Sequence, residues 1–175
     1  MMVLAIGNAG GNIVSTIRKE TQHPRLLSAQ YVFADCNETD LKNHLADDTL
    51  NLLLDSNSTC FPSVIFNEVT HLIIIAGFGG ITGTKFTGLA AKAARKAGVL
   101  FINFVITTPF YFEGERRVDY AISAIKQFTD NNGIITFDND DIFVKYPDEN
   151  YFKSLSTIDR ELMYLLEDML SNIES

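Results

Sequence analysis

The chain has 175 residues, 46% of them hydrophobic, and a formal net charge of −8. That length and apolar content predict one packed domain, and exclude a disordered chain. The acidic balance excludes a general binder of nucleic acid or anionic membrane, since both need clustered Lys and Arg. It leaves room for a single nucleotide at a local site. The two cysteines, Cys36 and Cys60, form no CxxC and no Cys/His cluster. Structural zinc and a disulfide framework are therefore not expected, and a reducing, cytoplasmic setting is.

The opening "MMVLAIGNAGGNIV" has no basic n-region, and its apolar run breaks at Gly7, so it reads as a first strand and not a signal peptide. No stretch is apolar and long enough to span a bilayer. After the strand Met2–Ile6, Ile13, Val14 and Ile17 recur at helical spacing in "GNIVSTIRKE". Gln30–Ala34 is a second strand. Between Asn37 and Asn67 the pattern stays open: "LKNHLADD" fits a short helix, "LNLLL" a short strand, and Pro62 can open a helix to Val69. His71–Ala76 is β-branched and continuously apolar, which predicts a fully buried strand. The alanine-rich "TGLAAKAARKAG" predicts a helix ending at Gly98. Val99–Ile106 is the next buried strand, and "GERRVDYAISAIKQF" a helix with Val118, Ala121, Ile122 and Ile125 on one face. Gly133–Phe137 is a further strand. The last helix, from Tyr151 to Leu170, offers Phe152, Leu155, Leu162, Leu165 and Leu166 for packing. Such alternation predicts a three-layer, Rossmann-like α/β fold, with a mostly parallel sheet covered by helices on both faces.

Ligands in such folds sit at the carboxyl ends of the strands. "GNAGGN" (Gly7–Asn12) follows the first strand and "GFGGITGTK" (Gly77–Lys85) the fourth, each before a helix. A glycine loop and a helix N-terminus together make an anion site. One such loop is equally a tight turn; two at one sheet edge fit a di- or triphosphate held from both sides. The second loop is not a P-loop, because Thr84 separates Gly83 from Lys85 and Phe86 stands where Ser or Thr would bind magnesium. Asp35 after the second strand is either a cap or a ribose partner, as in dinucleotide-binding enzymes, where it lies about 20 residues beyond the glycines. Glu113 and Arg117 have the spacing of a helical ion pair. "DNDD" (Asp138–Asp141) reads as a capped turn without EF-hand spacing. The three histidines belong to no catalytic pattern, and no catalytic or metal-ligating residue is assigned.

These stretches resemble the tubulin/FtsZ family. "AGFGGITGTKF" is similar to its A-G-x-G-G-G-T-G-T-G signature, and "PFYFEGERR" to P-F-x-F-E-G-x-x-R. "GNAGGN" matches the first glycine loop at Gly7, Gly10 and Asn12. "DCNETDL" resembles N-T-D-A-Q-A-L, with Asp35 in the Asn place, and "DNDDIF" resembles P-N-D-x-L. The resemblance implies a protein that binds GTP or GDP, with or without Mg2+, and whose relatives form filaments in cell division. It implies a nucleotide site of Gly7, Gly10, Gly11, Asn12, Asp35, Gly79, Gly80, Thr82, Gly83, Thr84, Lys85, Glu113, Arg117, Asn139 and Asp159. Lys85 would turn a charge to the phosphates; Asn139 and Asp159 would read the guanine or hold its sugar.

The sequence also departs from the family. Ala5, Asn8, Ile81 and Lys85 replace glycines, and a β-branched Ile81 predicts a loop that runs differently. Leu155 falls where an aromatic stacks on the base, and no G-A-G-x-x-P loop lies between Lys42 and Pro62. The sequence stops at Ser175, inside the stretch resembling the family's central helix, before its acidic catalytic loop and second domain. A single nucleotide-binding domain over residues 1–175, with little or no intrinsic GTP hydrolysis, is the expectation. The alternatives are a degenerate scaffold without nucleotide, docking on a filament protein or on itself, and an NAD(P)-binding Rossmann enzyme.

Overall fold

The computed structural model describes residues 1–128 and 133–173. Six strands, β1 (Met2–Ile6), β2 (Gln30–Asp35), β3 (Thr49–Leu53), β4 (His71–Gly77), β5 (Phe101–Thr108) and β6 (Ile134–Asp138), form one sheet ordered β3-β2-β1-β4-β5-β6. Every pairing is parallel. β1 is buried throughout and β4 as far as Ala76, because helices cover both faces. This explains why their sequences show no polar alternation.

Alternate residues face two separate cores, as the two-residue period of a strand requires. Leu4, Ile6, Ile74 and Phe104 meet Phe86, Ala90 and Ala94 of one helix (Ile81–Lys96) and Ala121 of another (Glu115–Ile125). Val3, Ala5, Ile73 and Ile75 meet Ile13, Val14 and Ile17 of α1 (Gly7–Glu20), and Ile158, Leu162 and Leu166 of the last helix (Tyr151–Ile173). Two further pieces, α2 (Pro24–Leu27) and α3 (Glu38–Lys42), flank β2. The remaining helices in order are α4 (Ile81–Lys96), α5 (Glu115–Ile125), α6 (Asp141–Lys145) and α7 (Tyr151–Ile173). Phe86 and Phe104 are fully buried, and each contributes about 1.5–3 kcal/mol by leaving water.

Several elements differ from the sequence expectation. α1 begins at Gly7, so "GNAGGN" is its first turns and not a preceding loop. Likewise α4 begins at Ile81, ahead of the alanine-rich run. On α5 the buried positions are Ala121 and Ala124, while Ile122 is exposed. On α7 Phe152 is 81% exposed and Leu165 is also exposed; Ile158, Met163 and Leu170 pack instead. The small alanines of α5 permit close approach to the sheet, which a simple count of large apolar residues does not reveal. The open stretch resolves as α3, β3 and a short 3-10 turn at Ser63–Phe66. At the amino end of β4, His71 Nε2 lies 2.6 Å from Asn103 Oδ1 and its Nδ1 lies 2.7 Å from Arg25, a structural role far from the strand carboxyl ends.

Candidate functional site

The strand order reverses between β1 and β4, and such a switch point opens a crevice beyond the strand carboxyl ends. Here β1 passes directly into α1 at Gly7, and β4 passes through Gly77–Gly80 into α4. The register aligns Ile6 with both Ala34 and Ala76, so the two helices start side by side. Neither start carries an acidic residue in its first turn or a capping side chain. The N–H groups that a helix leaves unpaired at its N-terminus, and the positive end of its dipole, therefore await an external acceptor.

Glycine makes this convergence possible at two places. Gly79 adopts φ +94, a conformation L side chains rarely take, and its N–H donates to Thr84 Oγ1 at 3.0 Å. Gly83 lies on the carbonyl of Gly77, where a Cβ would overlap the oxygen. Thr87 Oγ1 donates to Gly83 O at 2.7 Å and fixes this turn from below. Ile81 is the first residue of α4 and keeps a negative φ. The positive dihedral falls on Gly79, so a β-branched residue at 81 costs the backbone nothing; its side chain is 68% exposed at the cleft.

The crevice is a cleft of about 480 Å³. Of the residues assigned from sequence, Gly7, Asn12, Asp35, Gly80, Thr82, Gly83, Glu113, Arg117 and Asn139 line it. Gly10 and Gly11 face inward instead, Gly10 against the Ile75 carbonyl and Gly11 against the His44 ring. Gly79 is packed on Pro109 behind the loop, and Thr84 is taken by Gly79. Lys85 turns away from the cleft and donates to Ser56 O at 2.7 Å, tying α4 to the segment after β3. Asp159 lies outside the cleft, half-buried between α7 and Thr16 of α1; burial pushes its carboxyl up to about 7, against the hydrogen bond from Thr16.

The cleft walls carry distinct chemistry. Arg117 pairs with Glu113 at 2.8 Å, and Glu113 Oε1 accepts the Phe110 N–H at 3.0 Å, so the guanidinium is held by a fixed acid. Asp35 is buried; its Oδ1 accepts the Asn37 N–H at 3.0 Å and lies 3.5 Å from Thr82 Oγ1. Burial raises its pKa from the ordinary aspartate value, against the N–H groups of Asn37 and Cys36. Asn139 is 9% exposed, and its Oδ1 is buried without a partner. A buried amide oxygen left unpaired at a cleft wall fits a ligand donor there. Sequence reasoning missed Asp40, Thr107, Thr108 and Tyr151 at the cleft. "TTP" at the carboxyl end of β5 was the readable signal for the threonines.

His44 underlies this machinery. Its ring stacks on Phe33 with centroids 5.3 Å apart, and Nδ1 lies 3.0 Å from Ser15 Oγ. A Cβ on Gly11 would overlap the ring, and Nε2 is buried without a partner. Burial lowers the imidazole pKa, with Asp35 and Asp40 opposing the shift. Among the described residues no group of three or more His, Cys, Asp or Glu is placed to hold a metal ion. Among the same residues no helix is long and apolar enough to cross a membrane.

A parallel sheet in this order, with two uncapped helix starts at its switch point, defines a doubly wound α/β fold of the nucleotide-binding type. The model of the Tubulin/FtsZ family, GTPase domain, matches residues 65–146. Cell division protein FtsZ 2 of Rhizobium meliloti is 26% identical over 160 residues, covering 81% of this chain and 45% of that protein. FtsZ 1 of the same organism is 34% identical over 110 residues, covering 60% and 18%. The solved structure of the empty FtsZ dimer of M. jannaschii superposes with a TM-score of 0.78 at 20% identity, over 95% of this chain and 52% of that one. A GTPgS-bound protofilament of CetZ2 from Haloferax volcanii gives 0.76 at 17% identity, over 97% and 57%. The chain resembles the Tubulin/FtsZ family in sequence and shares the fold of its solved members, and it spans about half or less of the length of these relatives.

Proposed function

We propose that the chain binds a guanine nucleotide in the cleft between β1 and β4. The convergence of two uncapped, glycine-lined helix N-termini carries this reading. The phosphates lie against the N–H groups at the starts of α1 and α4, where dipoles and unpaired donors favour negative charge. Arg117 supplies the cation at this wall, oriented by Glu113. The Asn139 amide accepts a hydrogen bond from the sugar or base. Self-association and a part in cell division belong to the same proposal, on the strength of FtsZ relatives and of neighbours solved as dimers and protofilaments.

Isothermal calorimetry with GDP and GTP, and with ATP and NAD as controls, tests this. Micromolar to sub-millimolar binding of the guanine nucleotides is expected. No heat at millimolar ligand would overturn it in favour of an interaction domain without nucleotide. The exposed Ile81 side chain at the cleft, in a position where the family carries glycine, favours that second reading.

A further inference from the structure

We propose that Asp35 makes ligand binding proton-linked: the cleft takes a phosphate-bearing ligand together with up to one proton from solvent, which resides on the Asp35 carboxyl. This rests on the nucleotide reading above. Asp35 as a residue is 6% exposed and lines the same cleft as the glycine-lined helix starts. It meets Thr82, in the first turn of α4, at 3.5 Å. Any anion held by α4 therefore approaches Asp35 across one side chain, in a site that water screens poorly.

Among the described residues, no basic side chain pairs with Asp35. The turn between β2 and α3 offers the N–H groups of Cys36 and Asn37. α3 adds a second acid, Asp40. α4 contributes the Thr82 hydroxyl, while Lys85 is turned to Ser56. The segment after α3 brings His44, whose burial favours the neutral ring. α1 lines this side with the neutral Asn8 and Asn12, and across the cleft Arg117 is already paired with Glu113. A carboxylate so placed repels phosphate, whereas the neutral acid does not, and it can donate a hydrogen bond.

Linkage fixes the sign. An anion raises the pKa of Asp35 further, so binding takes up a proton and affinity falls as pH rises from the free-state to the bound-state value. Calorimetry of GDP binding at intervals from about pH 4.5 to 8.5, in buffers of different ionisation enthalpy, reads the proton count for the native chain and Asp35→Asn. Asn keeps the Oδ1 that accepts from Asn37. The native chain is expected to take up more protons than the variant, by up to one. The variant is expected to bind about tenfold tighter at pH 8.5, the equivalent of one pKa unit. Equal affinity and equal proton count would overturn the inference while leaving the nucleotide reading intact. Weaker binding by the variant would overturn it too, and assign the carboxylate to a ligand hydroxyl. Absence of GDP binding by both proteins would overturn the nucleotide reading and this inference with it. Carbon-13 NMR of the Asp35 carboxyl in the native chain gives a readout independent of the variant: its titration midpoint must move up on adding GDP, and an unmoved or lowered midpoint refutes the linkage.

Discussion

Gly83 rests on the carbonyl of Gly77 with no room for a Cβ between them. That contact holds the start of α4 on the end of β4. Gly83→Ala must push the two apart, and overpacking of this kind costs about 1–3 kcal/mol. Urea denaturation should show the loss in stability together with weaker GDP binding. An unchanged midpoint would mean that the turn yields without cost.

The contact between Gly11 and His44 makes a paired prediction. Gly11→Ala should destabilise the fold, because the ring has nowhere to go while it stacks on Phe33. His44→Ala in the same chain should recover part of that loss by opening space. A double-mutant cycle is expected to give a coupling of about 1 kcal/mol or more. Additive effects would show that ring and glycine act independently.

Arg117 and Lys85 should separate cleanly. Arg117→Ala removes a cation from the cleft wall and is expected to weaken GDP binding by about 10- to 100-fold, since a charge-assisted hydrogen bond contributes about 1.5–3 kcal/mol. Lys85→Ala should leave affinity within about threefold, because the ammonium is bonded to Ser56 O. Its effect should appear as faster proteolysis around Ser56. Equal loss of affinity in both variants would place Lys85 at the phosphates after all.

Asp159 predicts a pH-dependent stability of unusual sign. Burial raises its pKa from 3.8 to about 7 in the folded chain. The folded state then binds more protons than the unfolded state between those values, so this contribution is full below pH 4 and is lost as pH rises to about 7. The shift corresponds to at most about 4 kcal/mol. Asp159→Asn should flatten the profile and stabilise the fold at pH 8, measured by chemical denaturation from pH 4 to 8. A parallel profile in the variant would exclude Asp159 as the source.

The sheet was legible because strands buried on both faces are written as unbroken apolar runs, as in "LIIIA". Both glycine stretches were legible as features of the strand carboxyl ends, where each leads into a helix. Their conformation was not: glycine content suggested loops, whereas Gly7–Asn12 and Ile81–Lys85 are helical. Sequence spacing also could not tell which glycines line the cleft and which make room for a neighbour. Gly10 and Gly11 belong to the second kind, and only the position of Ile75 and His44 reveals it. The direction of Lys85 depended on a distant residue, Ser56, whose approach no local pattern announces.

The cleft is bounded by strands that neighbour each other in space and lie far apart in the chain, for Met2 pairs with Leu72. Pairing over such a separation is slow, because loop-closure entropy is lost before any contact compensates it. Neither half of the cleft exists alone: residues before Gly77 hold one helix start, and residues after it the other. Ligand capture during refolding should therefore lag behind helix formation. It will report the moment at which the two halves of the sheet zip together.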